Sequence, residues 1–254
     1  MITLLSPTRT MNMAPIPGTY PQATTPRFLS EAERIVAGIK TYSAKYLASQ
    51  MNLSPEIAES DYNYFQQFDS PTTIQKQAVL AYNGVVYQKL NARSFNEKEF
   101  SYAQQHIRII STLYGLIRPL DAIKAYRLMF SLKIPGLNTE NLYQFWQPIV
   151  TKALIDDVLA DDGILVNLAS EEIFKTIDIS KLPENLKIIQ VRFKEHRNGS
   201  YKSIQMYSKQ SRGNMARYIV TNQIKNPEDI KHFNQDGYIF NNLLSTSDKY
   251  IFTR

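Results

Sequence analysis

The residues best suited to binding chemistry are cationic side chains concentrated in one segment of the chain. Eight Lys and Arg residues and a single acid, Glu195, lie between Lys187 and Arg217, which gives this segment a net charge of +7. The whole chain of 254 residues carries a net charge of +6, so the segment accounts for its basicity. Such a segment attracts polyanions, because phosphates bound by Lys and Arg release their condensed counterions. The simpler alternative is a solvated surface whose long side chains cover the core.

A second group of residues with a chemical interpretation occupies positions 113–121, between two predicted helices. In a helix–hairpin–helix, the backbone N–H groups of such a turn bind one DNA phosphate, and Gly115 would permit the close approach. The guanidinium of Arg118 would add a charged contact. The alternative is an ordinary corner between helices, in which Arg118 pairs with Asp121.

Polar loops follow two predicted strands, and they form a third candidate site. Ligands commonly bind at the carboxyl ends of strands, and Ser170 is placed to cap a helix whose N–H groups would face an anion. Plain turn and capping chemistry is the alternative. A cleft between the two loops would be lined by Arg9, Asn167, Ser170, Glu172 and Lys209.

Composition excludes several kinds of chemistry. The chain has no Cys, which excludes disulfides, Cys-ligated metals and thiol catalysis. Its three His are scattered, so we expect no His-rich metal site, while a carboxylate site for a hard cation stays open. We expect no bound metal and no cofactor. Phosphate-loop, dinucleotide and nucleophile-elbow motifs are absent, so an enzyme is less expected than a binding protein. No apolar run approaches the ~20 residues of a membrane helix, and we expect a cytoplasmic protein without a membrane partner. The oligomeric state stays open.

The elements that must position these residues follow from apolar periodicity and turn signals. The first strand covers 2–5, and a second buried strand covers 163–168. A β-hairpin is predicted from 188–194 and 201–207, because Asn198-Gly199 is a typical two-residue turn. The pattern predicts helices at about 28–51, 55–67, 72–82, 97–113, 121–130, 142–159 and 211–223, and a short one after Asn226-Pro227. We therefore predict a single α+β domain over residues 1–254, with a helical part at about 28–130.

The same segments resemble the YaaA family of peroxide-stress proteins, in order along the chain. The blocks that carry the resemblance are Ser6-Pro7-Thr8-Arg9-Thr10, Tyr82 to Tyr87, Leu113 to Asp121 with Tyr126-Arg127-Leu128, Leu142 to Trp146, Asn167 to Ser170, Arg212-Gly213 and Gly237 to Phe240. Three positions depart from the family pattern: Arg9 replaces Lys, Met129 replaces Glu, and Ile173 replaces Tyr.

The resemblance implies a mixed α+β domain of the YaaA type, with a helical subdomain, a β-hairpin and a helix–hairpin–helix-like element. It implies a cytoplasmic protein of the peroxide response that is associated with lowering free intracellular iron. It also implies DNA binding through a basic cleft, and we expect phosphate contacts without strong sequence preference. The expected contact residues are Arg9, Gly115, Arg118, Lys194, Lys202, Lys209, Arg212 and Arg217.

An enzyme acting on a nucleotide or nucleic acid, in the cleft at the strand ends, is the alternative function. Its catalytic residues are not identifiable from the sequence. Direct iron binding is disfavoured, because iron sites need clustered His and carboxylate side chains.

Overall fold

Residues 2–5 form an inner strand of a mixed, eight-stranded sheet in a computed structural model that describes residues 1–254. A separate two-stranded sheet lies beside it. The strands are β1 (Ile2–Leu5), β2 (Lys76–Gln77), β3 (Ile107–Ser111), β4 (Gly115–Ile117), β5 (Ala122–Ile123), β6 (Ile164–Asn167), β7 (Lys187–Arg197), β8 (Ser200–Lys202), β9 (Ile239–Phe240) and β10 (Lys249–Thr253).

The large sheet has the order β4-β3-β1-β6-β7-β10-β9, and β8 pairs with β7. The inner strands are parallel: β1 pairs with β3 and β6, and β7 pairs with β6 and β10. Every residue of β1 is buried, as expected of an inner parallel strand covered on both faces. Leu4 lies opposite Asn167 in this register, so the loops that follow β1 and β6 emerge at the same edge.

The helices pack against the sheet. They are α1 (Leu29–Ile39), α2 (Ala44–Met51), α3 (Pro55–Gln66), α4 (Ala78–Ala81), α5 (Val85–Leu90), α6 (Glu97–His106), α7 (Leu142–Leu159), α8 (Glu171–Phe174) and α9 (Gln205–Thr221). One hydrophobic core runs from β1 through the helices to β10 and includes the fully buried Trp146. This architecture confirms a single α+β domain. No helix is both long and apolar enough to cross a membrane.

Several predicted elements are confirmed. The first strand and the helix at 142–159 have the predicted bounds, and the buried strand at 163–168 contains β6. The predicted hairpin consists of β7 and β8, joined by Asn198 and Gly199, both with positive φ. This left-handed conformation at both turn residues is why the sequence uses Asn-Gly there.

The prediction of a helix–hairpin–helix-like element is wrong. The predicted helix at 97–113 ends at His106, and the chain continues as strand β3, which pairs with β1. Gly115 begins strand β4, and 121–130 contains no helix. The turn at 113–121 therefore joins strands, because pairing with β1 outweighs the helical spacing of Phe100, Ala103 and Ile107.

The helical part and the basic helix also differ from the prediction. Helices of the first half of the chain lie between Leu29 and His106 rather than extending to 130. Strand β8 ends at Lys202, and α9 begins at Gln205 instead of 211. The earlier start of α9 places Lys209 on the helix, one turn before Arg212.

Candidate functional site

A cleft of about 650 Å³ opens at the carboxyl ends of β1 and β6. One wall of the cleft consists of residues 6–10, and a second wall consists of residues 83–86 and 126–131. The first half of α9 closes the cleft. Its position agrees with the rule that ligand sites lie beyond the carboxyl ends of parallel strands.

Hydrogen bonds between the two strand-end loops fix the floor of the cleft. The hydroxyl oxygen of Ser6 accepts a hydrogen bond from the backbone N–H of Ser170 at 2.8 Å. Ser170 in turn caps α8, because its side chain accepts from the N–H of Ile173. Ser170 and Glu172 both line the cleft.

Asn167 lies beneath the cleft and does not line it. The side chain is fully buried, accepts a hydrogen bond from the N–H of Ala169 at 2.9 Å and donates to Gln190 at 2.8 Å. Its function in the fold is to shape the turn that presents Ser170.

The charge of the cleft is strongly positive. Four cationic side chains line it, and Glu172 is the single carboxylate among the lining residues. The four are Arg9, Arg127, Lys209 and Arg212. Arg127 pairs with Asp61, whereas the salt bridges of the chain include none of the other three.

Arg212 is the residue whose environment most requires an anion. Its Nε–H is buried and has no hydrogen-bond partner. Burial is the main cause that lowers the pKa of Arg212 to about 10, and repulsion from Arg192 adds to it. The carboxylate of Glu171 opposes this shift. A buried charged donor without an acceptor is costly, and an anion in the cleft would remove that cost.

Two glycines allow the walls of the cleft to approach each other. A Cβ at Gly213 would lie 2.2 Å from the carbonyl oxygen of Val86, so this glycine lets α9 pack directly on α5. A Cβ at Gly84 would lie 2.2 Å from the hydroxyl oxygen of Thr8. Both contacts fix the position of the loop that carries Arg9 relative to α9.

The structure places Gly115 and Arg118 away from the cleft. Gly115 has a φ of +68°, is buried, and lies against the indole of Trp146. Arg118 bonds to Asp121 at 3.3 Å through its side chain and at 2.8 Å through its backbone N–H. The Arg118–Asp121 pair of the alternative interpretation is therefore confirmed, although it stabilises a turn between strands.

Arg217 is half-buried and bonds to the end of α5. Its guanidinium donates to the carbonyl oxygens of Leu90 and Asn91 at 3.1 and 3.2 Å, and to the hydroxyl of Ser94 at 2.9 Å. These bonds satisfy carbonyl groups at the end of α5. The chemistry of Arg217 is that of a helix C-cap rather than of a free phosphate ligand.

The remaining predicted contacts lie on the hairpin. Lys194 is half-buried on β7, Lys202 is exposed on β8, and neither lines the cleft. Phe193, one of the aromatic residues between these charges, is buried against Phe233, Tyr238 and Phe252. Phe193 therefore belongs to the hydrophobic core and is not a free surface for stacking.

The sequence prediction did not include Arg127, which lines the cleft, or Asp61, which pairs with it. The sequence does mark Arg127, because Tyr126-Arg127-Leu128 is one of the segments that carry the family resemblance, but it does not indicate a role in the cleft. Nothing in the sequence distinguishes Asp61, since it is one acidic residue among several on α3. Met129 and Ile173, two of the departures from the family pattern, both line the cleft. No group of three or more His, Asp or Glu side chains is arranged to hold a metal ion.

Comparison with known proteins identifies relatives along the full length of the chain. The sequence model of a family described as peroxide stress protein YaaA matches residues 1–244. A UPF0246 protein of Parabacteroides distasonis is 39% identical over 256 residues, covering 99% of each chain. UPF0246 proteins of Acaryochloris marina and Legionella pneumophila are 38% identical over 256 residues and 39% identical over 260 residues. The alignment with the Acaryochloris marina protein covers all of both chains. The alignment with the Legionella pneumophila protein covers all of this chain and 99% of the relative.

Proposed function

The chain belongs to the YaaA family of peroxide stress proteins, and from that premise we propose that its basic cleft binds DNA through the phosphate backbone. The buried Nε–H of Arg212, which has no partner in the protein, is the observation that carries the proposal. A phosphate oxygen is an acceptor of the required charge, and a guanidinium is well suited to binding phosphate.

Neighbouring groups support a phosphate ligand. Lys209 lies three residues before Arg212 on the same face of α9, and Arg9 reaches the cleft from the loop after β1. None of these three cations is neutralised by a salt bridge. We assign the primary phosphate contacts to Arg9, Lys209 and Arg212, with Lys194 and Lys202 as an extension along the hairpin.

Contacts of this kind fix the position of a nucleic acid without reading its sequence, so we propose binding with little sequence preference. We also propose that the protein acts in the cytoplasm. Gly115, Arg118 and Arg217 have no contact with DNA in this proposal. Gly115 is buried against Trp146, and the two arginines bond to groups of the protein.

Fluorescence anisotropy with two short duplexes of unrelated sequence tests the proposal. We expect Arg212→Gln and Lys209→Gln each to weaken binding about tenfold, to the same extent for both duplexes. Lys225→Gln, an exposed cation just beyond α9, is the matched control and should bind like the unaltered chain. Equal affinity of all four proteins would contradict the proposal, as would a strong preference for one duplex.

A second candidate is an enzyme that acts on a nucleotide or nucleic acid. The observation that favours it is the convergence of Ser6, Ser170, Glu172 and Lys209 on one cleft. A carboxylate beside cations that hold a phosphate could act as a general acid or base. Incubation of the protein with single nucleotides, followed by chromatography, would detect a product, and Glu172→Gln should abolish its formation. Unchanged nucleotides in every incubation would contradict this candidate.

The resemblance also implies an effect on free intracellular iron, and we propose that this effect is indirect. The three His lie apart. His106 bonds to Asp161, His196 packs on Tyr201, and His232 ends a short 3-10 helix, Pro227–His232. Protein purified from iron-replete cells should then contain no iron. Stoichiometric iron in the purified protein would contradict an indirect effect.

A further inference from the structure

A second cavity, of about 380 Å³, adjoins the cleft. Arg9, Tyr126 and Arg127 line both spaces. The second cavity is bounded on its far side by α3, which contributes Asp61 and Tyr64. We call it the Asp61 pocket.

Asp61 is a buried carboxylate with one oxygen already paired and one unpaired. Its Oδ1 accepts a hydrogen bond from the guanidinium of Arg127 at 3.4 Å. Its Oδ2 is buried and has no hydrogen-bond partner. No other carboxylate lines the pocket, and the other ionisable groups there are Arg9, Tyr64, Tyr126 and Arg127. A buried acceptor without a donor is costly, so the pocket is suited to a ligand that supplies an N–H or O–H.

Half of the residues that line the Asp61 pocket are apolar or aromatic. Met11, Met13 and Ile74 line it together with the ring of Tyr64. Tyr64 and Ile74 are 42% and 57% exposed, which is high for large hydrophobic side chains. An exposed aromatic ring at the edge of a cavity offers a surface for stacking a planar ring.

We propose that the Asp61 pocket receives the unpaired base of a nucleotide whose phosphate lies in the cleft, with preference for bases that carry an exocyclic amino group. The inference rests on the proposed function, because the cations of the cleft supply the phosphate site. Tyr64 stacks on the base, and Oδ2 of Asp61 accepts a hydrogen bond from the amino group. Carboxylates recognise cytosine in this way, whereas uracil presents a carbonyl oxygen at the same position and repels the carboxylate.

Mononucleotides test the pocket without the rest of a nucleic acid. Isothermal titration of the full chain would compare cytidine 5′-monophosphate, uridine 5′-monophosphate and ribose 5-phosphate. We expect the cytidine nucleotide to bind about tenfold more tightly than the uridine nucleotide, because one hydrogen bond to a charged group separates them. Ribose 5-phosphate should bind most weakly, since it has no base to stack.

Variants assign the discrimination to particular side chains. Asp61→Asn should bring the cytidine and uridine nucleotides to similar affinities and leave ribose 5-phosphate unchanged. Tyr64→Ala should weaken both nucleotides about tenfold without altering ribose 5-phosphate. Its ring is partly exposed, so this variant tests the pocket even where Asp61→Asn does not fold. Asp69→Asn, an exposed acid paired with Lys40, is the control and should change none of the three affinities.

Two results would overturn the base pocket. The first is a cytidine nucleotide that binds no better than ribose 5-phosphate, or no binding of any of the three ligands. The second is an Asp61→Asn variant that changes all three affinities equally, which would mean that Asp61 only balances the charge of Arg127. The duplex titration tests phosphate binding by the cleft separately, so failure of the pocket and failure of the cleft are distinguishable.

Discussion

Ser6 and Ser170 are 164 positions apart in the chain, yet the hydroxyl oxygen of Ser6 accepts the backbone N–H of Ser170 at 2.8 Å. This bond exists because β1 and β6 are adjacent parallel strands with Leu4 opposite Asn167. It ties together the two loops from which the cleft is built, and the cations on α9 face the joined loops from the opposite wall.

Removal of this bond should loosen the floor of the cleft. Ser6→Ala leaves the N–H of Ser170 without its partner, and we expect a loss of about 1 kcal/mol in the free energy of unfolding. Urea denaturation measures the loss. Ser30→Ala is the control, because Ser30 is exposed and bonds only to the adjacent Glu31. A Ser6→Ala chain as stable as the control would contradict the structural importance of this bond.

Arg217 should affect stability much more than DNA binding. Arg217→Ala removes donors from two carbonyl groups and one hydroxyl at the end of α5, and we expect a loss of about 1–3 kcal/mol. Urea denaturation and duplex anisotropy on the same preparation separate the two effects. Unchanged stability together with weakened DNA binding would contradict the assignment of Arg217 to the fold.

Gly115 should tolerate no side chain. Gly115→Ala places a Cβ about 2.5 Å from the ring of Trp146 at a φ of +68°. Backbone strain and overpacking each cost about 1–3 kcal/mol. Gly136→Ala is the matched control, because Gly136 has a φ of +81° with no atom near the added Cβ, so it measures backbone strain alone.

The thermal midpoints of both variants, followed by fluorescence of the single Trp, make this comparison. We expect the midpoint of Gly115→Ala to fall further than that of Gly136→Ala. Equal midpoints would contradict the close contact between Gly115 and Trp146.

Stability should depend on pH through Asp61. Burial raises the pKa of Asp61 to about 6, although Arg127 opposes the shift. Because this pKa lies above its ordinary value of 3.8, the folded chain binds the proton more tightly than the unfolded chain. The resulting stabilisation is complete below about pH 4 and is lost as the pH rises through about 6.

Urea denaturation of the unaltered chain and of Asp61→Asn at several pH values between about 4 and about 7 measures this linkage. The variant cannot titrate at this position, so its stability relative to the unaltered chain should rise with pH across that range. A constant difference between the two proteins would contradict the raised pKa.

Local patterns predicted part of the fold, and long-range pairing determined the rest. The Asn198-Gly199 turn and the helix Leu142–Leu159 were predictable because each depends on neighbouring residues. Residues 107–111 were not, because their apolar residues continue the spacing of α6 and also suit a strand buried on both faces. Pairing with β1, over 100 residues earlier in the chain, selects the strand.

The site was predictable to a similar extent. Ser170 and Lys209 were expected in a cleft, since strand ends and concentrated charge are visible in the sequence. Asp61 could not be predicted, because its burial depends on how α3 packs beside residues 125–127. The structural use of Arg217 was equally hidden, since its partners lie about 125 positions earlier, at the end of α5.

The central claim is that Arg212 holds a phosphate in the cleft, and the salt dependence of duplex binding tests it most directly. The logarithm of the affinity should fall linearly with the logarithm of the salt concentration, with a slope of about −0.9 per phosphate contact. Arg212→Gln should make that slope shallower by about 0.9, whereas Lys225→Gln should leave it unchanged. An Arg212→Gln slope identical to that of the unaltered chain would contradict the claim.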